Sequence, residues 1–129
     1  MAKNYEASVI ETSKELSAKE KIKIKDLSNA INLDTLTQEQ DTPVIISIDY
    51  YVMLKIHNEK SKERPDYQNV VVVDKDGNKY YTGSSSFMTN LEEIYDEMTD
   101  AGETEITIEV YRKPSKNYNG KEFITCSVV

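Results

Sequence analysis

Arg112, Lys113, Lys116 and Lys121 are interleaved with Tyr111, Tyr118 and Phe123, and no acid falls between positions 110 and 121. Cationic side chains pair with phosphates, while aromatic faces accept unstacked bases of any identity. The pattern points to single-stranded nucleic acid held without sequence preference. The flanks say what carries it. Glu105–Arg112 and Phe123–Val129 both alternate apolar and polar residues, and Pro114, Ser115, Asn117, Asn119 and Gly120 lie between them. That arrangement predicts a long β-hairpin. Tyr118, at the turn tip, has the least structural reason for its place and is the leading stacking candidate. Tyr111 and Phe123 flank the turn and are open to either stacking on bases or pairing across the strands.

Further residues of the same two kinds lie upstream. Lys21-Ile22-Lys23-Ile24-Lys25 alternates strictly. As a strand it puts Ile22 and Ile24 toward the core and Lys21, Lys23 and Lys25 on the other side. Those lysines read either as a phosphate-binding stripe or as the guard of a solvated edge. Val44–His57 is the longest alternating run, with Val44, Ile46, Ile48, Tyr50, Val52, Leu54 and Ile56 on one face. This length exceeds the usual ~5–6 residues of a strand, so a bend or bulge is expected. Tyr50 is assigned to the core. On the opposite face Tyr51 and Lys55 join the binding candidates, and His57 reads as an exposed imidazole near a strand end. Tyr67 and Tyr81 complete the set of candidate stacking faces.

Composition narrows the alternatives. The chain has 129 residues, a net charge of -7 and 38% hydrophobic residues, which suits one domain, 1–129, with a modest core. No apolar run approaches the ~20 residues of a membrane span. Residues 1–6 carry no apolar leader core, and Cys126 is the single cysteine. A reducing, cytoplasmic setting is expected, with Cys126 as a small hydrophobe. His57 has no Cys or His companion, so no zinc set is present, and no cofactor is expected. Asp74, Asp76 and Asn78 fail as a calcium loop, because Lys79 and Ser85 stand where a glycine and a closing glutamate are needed. A turn explains them. A metal-dependent nuclease using the Asp/Glu cluster is a further reading, which magnesium-dependent loss of DNA substrate would reveal. No phosphate-binding glycine loop and no nucleophile–base pairing appears, so other enzyme classes have no foothold. The overall negative charge opposes a nucleic-acid partner. Its distribution softens that objection, since 26–54 and 82–110 hold acids with no Lys or Arg, leaving 111–129 positive.

In order, the chain reads as a strand (5–12), a polar stretch, the basic-faced strand (21–25), a loop with one short irregular strand (26–42) and the long strand. After these come a hairpin (70–73 and 79–82 about an Asp-Gly turn), one helix (87–99, capped by 84–86 and stopped at Gly102) and the terminal hairpin. A largely antiparallel chain with a single helix before its last two strands matches the five-stranded oligonucleotide/oligosaccharide-binding (OB) barrel. In that barrel a helix joins strands 3 and 4, and the loop between strands 4 and 5 holds ligand. The expected class is all-β with one helix.

Val9–Lys25, Val44–Tyr81, the helix and Ile106–Val129 also resemble the small single-stranded DNA-binding proteins of tailed phages, or prophages, of Gram-positive bacteria. The nearest piece is Pro114–Thr125, whose Ser115-Lys116, Gly120-Lys121 and Phe123 are similar to a pattern on the last hairpin of such proteins. The resemblance implies an OB fold and sequence-independent binding, without catalysis, in viral DNA replication or recombination. Two departures stand out: the chain ends in uncharged, strand-like residues rather than an acidic recruiting tail, and it contains no Trp. The acidic helix 87–99 is then the candidate surface for replication or recombination proteins, and the strand-like last residues leave a homodimer open. The rival reading is an acidic interaction or assembly protein that uses 82–110 to bind a basic protein partner.

Overall fold

The computed structural model describes residues 5–60, 65–115 and 122–129. Its elements are β1 (Tyr5–Thr12), α1 (Ala18–Lys25), β2 (Ile31–Asn32), α2 (Leu33–Glu39), β3 (Val44–Asn58), β4 (Asp66–Asp74), β5 (Lys79–Thr82), α3 (Ser85–Asp100), β6 (Ile106–Pro114) and β7 (Glu122–Val128). All seven strands belong to one curled, open, half-barrel sheet of order β2-β5-β4-β3-β6-β7, with β1 also paired to β3. The mostly-β expectation holds. Five strands and one helix do not: there are seven strands and three helices among the described residues. None of those helices is long and apolar enough to cross a membrane.

β3 organises the sheet. Its first half, Val44–Ile48, pairs with β6, and its second half, Val52–Asn58, pairs with β1 along the same edge. β4 runs down the other edge. Between Ile48 and Tyr50 the register slips by one residue, a β-bulge. Side chains alternate with period two, so one extra residue transfers every later side chain to the opposite face. Val44, Ile46 and Ile48 therefore join one core together with Tyr51 and Met53, where Phe87, Met88 and Leu91 of α3 and Leu33 of α2 also pack. Val52, Leu54 and Ile56 join a second core on the other face, closed by Leu16 and by Ile24 of α1. The single uninterrupted apolar face expected for 44–56 is thus divided between two cores.

Residues 21–25 form a helix, not the expected strand. Ser17 is a complete capping box: its hydroxyl accepts from the Glu20 amide at 3.1 Å, and the Glu20 carboxylate accepts from the Ser17 amide at 3.1 Å. Side chains two apart on a helix point nearly opposite ways, so Ile24 is 2% exposed and Ile22 70%. Lys79 secures the far end, its Nζ donating to the carbonyls of Lys23 and Asp26 at 3.2 and 2.9 Å. The loop expected over 26–42 also contains a helix, α2. It starts where the Asn32 side chain accepts from the Asp34 amide at 2.9 Å.

Elsewhere local signals suffice. The Asp74–Asn78 turn holds Gly77 at φ +89°. Asp74 Oδ1 accepts from the Asp76 and Asn78 amides at 2.9 and 2.8 Å, which is the turn role expected of it. Helix α3 begins at the Ser84 cap, whose hydroxyl accepts from the Phe87 amide at 3.3 Å and donates to the Ile124 carbonyl at 2.7 Å. Cys126 lies buried beneath α3, and that burial pushes its thiol pKa up to about 12, as suits a core residue.

Candidate nucleic-acid interface

The terminal hairpin outruns the sheet. β6 pairs with β3 only as far as Val110↔Val44, but with β7 it continues through Tyr111↔Thr125, Arg112↔Ile124, Lys113↔Phe123 and Pro114↔Glu122. The last part is a two-stranded arm standing beyond the start of β3. Directly opposed residues share a face. Tyr111, Lys113 and Phe123 therefore lie together on one side of the arm, and Arg112 lies on the other with Ile124. Lys113 is exposed, while Tyr111 and Phe123 are half-buried. The Tyr111 hydroxyl is 2.6 Å from Ser127 Oγ, which pins its ring back along the strand. Lys116, Tyr118 and Lys121 lie outside the described residues.

Arg112, expected to contact phosphate, is already engaged. Its Nη1 donates to the Asp34 carbonyl and the Thr37 hydroxyl, each at 3.3 Å, and its Nε lies 3.5 Å from Glu122 Oε1. The side chain is only 19% exposed. This arginine joins the arm to α2 instead of facing solvent.

Tyr51 is also corrected. The β3 bulge turns it inward, where it is 4% exposed and meets Tyr95 edge-on with ring centroids 5.1 Å apart. Burial first, then the carboxylates of Glu11, Asp96 and Glu92, drives its phenol far above the ordinary value. No base can reach that ring. Tyr50, assigned to the core, is half-buried against the second core, with Lys14 Nζ 4.8 Å from its ring centroid.

The remaining candidates fall into separate places. Lys21, Lys23 and Lys25 sit on α1 and so do not form the single stripe that a strand would give. The segment around α1 closes the second core, and Val71 and Val73 beneath it are buried. Tyr67 and Tyr81 pack half-buried against that same core. Lys55 is exposed, and with Tyr67 it lines a cleft of about 630 Å³ beside the start of α3, together with Gly83, Ser85 and Met88. The structure thus brings Tyr111, Lys113 and Phe123 together, and Lys55 with Tyr67. The lysines of α1 stand on a helix that packs against β1 and the second core.

Two relationships escaped sequence reasoning. His57 Nδ1 lies 2.7 Å from Asp66 Oδ1 and its Nε2 3.7 Å from Glu59, so the imidazole pKa is raised, chiefly by the Asp66 hydrogen bond. Only the register His57↔Asp66 reveals that pair. On α3, Glu92 has a raised pKa, first from burial and then from the carboxylate of Glu11 on β1. The nearby acids Glu93, Asp96, Glu97 and Asp100 are all exposed.

The chain matches no protein-family model, no curated protein and no solved structure.

Proposed function

We propose that this chain is a sequence-independent single-stranded DNA-binding protein of the OB type, protecting exposed strands during phage DNA replication and recombination in the host cytoplasm. On this reading β3, β4, β5, β6 and β7 are the five barrel strands in order, and α3 is the helix between the third and fourth. β1, α1, β2 and α2 are then an N-terminal addition. The protein binds and shields, without catalysis or cofactor.

The observation that carries the proposal is the arm face formed by Tyr111, Lys113 and Phe123, continuing by sequence into Lys116, Tyr118 and Lys121. Base–aromatic stacking contributes about 1–3 kcal/mol per base and tolerates any sequence. The lysines neutralise phosphates, which makes affinity salt-dependent. The outer surface of β4 and β5, where OB proteins also bind ligand, is covered here by the segment around α1. That covering moves the expected strand path toward the arm.

Fluorescence anisotropy with labelled oligo-dT tests the proposal. Saturable binding at low salt, weakened by Tyr118→Ala, Lys116→Ala and Lys113→Gln, is the expected result; absence of binding at low salt overturns it. The second reading, an acidic protein that docks a basic partner, draws on the exposed acids of α3, where 82–110 contains no Lys or Arg. It predicts no oligo-dT binding, and loss of partner binding when Asp96, Glu97 and Asp100 are neutralised.

A further inference from the structure

The root of the arm is held from two sides: α3 grips β7, where Ser84 donates to the Ile124 carbonyl at 2.7 Å and Asn90 to the Thr125 hydroxyl at 2.6 Å, and α2 meets β6 through Arg112. We propose that Arg112 is the positioning residue of the arm: it fixes where Lys113 and Phe123 meet the nucleic acid and does not itself contact phosphate. The proposal rests on the single-stranded DNA reading above.

Arg112 is two residues past the last β3–β6 pair, on the arm face opposite Lys113. Both of its α2 acceptors, the Asp34 carbonyl and the Thr37 hydroxyl, lie 3.3 Å away. Asp34 is itself held to β5, because its carboxylate accepts the Thr82 hydroxyl at 3.0 Å. The chain of contacts runs from arm to α2 to β5, linking one end of the sheet path to the strand next to its other end. Among the described residues the buried Nε has no hydrogen-bond partner, and its 3.5 Å approach to Glu122 is an ion pair only. The fork is therefore aimed at α2, at the expense of its geometry toward Glu122. Both α2 bonds come from the one Nη1 while Nε faces Glu122 from another edge of the same guanidinium, a division of contacts that a single ammonium does not make. With its charge balanced by Glu122 and most of its surface buried, the guanidinium has little left to offer a phosphate.

Salt-titrated oligo-dT binding separates the two roles. Each phosphate contact on a single strand contributes about 0.7 to the slope of log K against log salt. The proteins compared are the unaltered chain, Lys113→Gln, Arg112→Gln and the double variant. A positioning role predicts that Lys113→Gln lowers the slope by about 0.7 in the unaltered protein. It also predicts that Lys113→Gln changes nothing further once Arg112 is replaced. Additive slope losses in the double variant, or full affinity in Arg112→Gln, would overturn the inference while leaving the binding function standing. Thr37→Val keeps the arginine and removes one acceptor, so it serves if Arg112→Gln does not fold. Weaker binding with a smaller Lys113 effect is expected; unchanged binding and an undiminished Lys113 effect would refute it. If the unaltered protein fails to bind oligo-dT, the DNA reading itself is lost, and this inference with it.

Discussion

Asp34 accepts the hydroxyl of Thr82 on its carboxylate at 3.0 Å, and this contact ties α2 to β5. Thr82 is 1% exposed, and its hydroxyl also accepts from the Ser84 amide at 3.2 Å. Removing the carboxylate leaves a buried hydroxyl short of an acceptor, which costs about 1–3 kcal/mol. Asp34→Ala should lower the urea midpoint accordingly, and Thr82→Val should lower it too, because the Ser84 amide then loses its acceptor. Equal stability for all three proteins would show that α2 is not held there.

Tyr51 should behave as a core residue. Tyr51→Ala removes a ring packed on Tyr95 and should destabilise by about 3–5 kcal/mol. Tyr51→Phe keeps the edge-on contact and should leave both the denaturation midpoint and oligo-dT affinity near those of the unaltered protein. A selective loss of DNA affinity in Tyr51→Phe would contradict the buried position.

The Ser17 capping box makes α1 testable. Ser17→Ala should cost about 1 kcal/mol, and amide exchange should accelerate in the first turn of α1 before it does elsewhere. The capping bonds also hold the Glu20 pKa below its ordinary value of 4.5, the backbone bond with Ser17 foremost. That contribution is present above the unfolded-state pKa and fades as pH falls through the lower folded-state value. Acid titration of Glu20 by NMR should therefore show a depressed pKa that Ser17→Ala returns toward normal.

His57 works in the opposite sense. Its bond to Asp66 raises the imidazole pKa above 6.5, so the pair contributes fully below that pH and is lost as pH rises through the folded-state value. An NMR titration should place the His57 midpoint above 6.5, and Asp66→Asn should bring it down. An unshifted midpoint in the unaltered protein would mean that the 2.7 Å bond does not persist in solution.

Several elements were legible from local pattern alone. The strands at 5–12 and 79–82, the long strand, the α3 helix with its serine cap and the two arms of the last hairpin all follow from period-two or period-3.6 apolar spacing and from turn residues. Helix α1 was not legible, because the alternation of Lys21–Lys25 points to a strand and masks the local cap signal of Ser17 and Glu20. A helix puts Ile22 and Ile24 on opposite sides, and in the folded chain the capping bonds outweigh the alternation.

The candidate site divides along the same line. The composition of the last hairpin, and the shared face of Tyr111, Lys113 and Phe123, need nothing beyond sequence and strand pairing. The roles of Tyr51 and Arg112 depend on more. A single inserted residue at the β3 bulge reverses which face Tyr51 occupies, and no property of the neighbouring residues announces it. Arg112 finds its acceptors 78 and 75 positions away in sequence. Charge and spacing mark an arginine as available; only the folded chain, by bringing α2 against the root of the arm, decides that its hydrogen bonds are spent inside the protein.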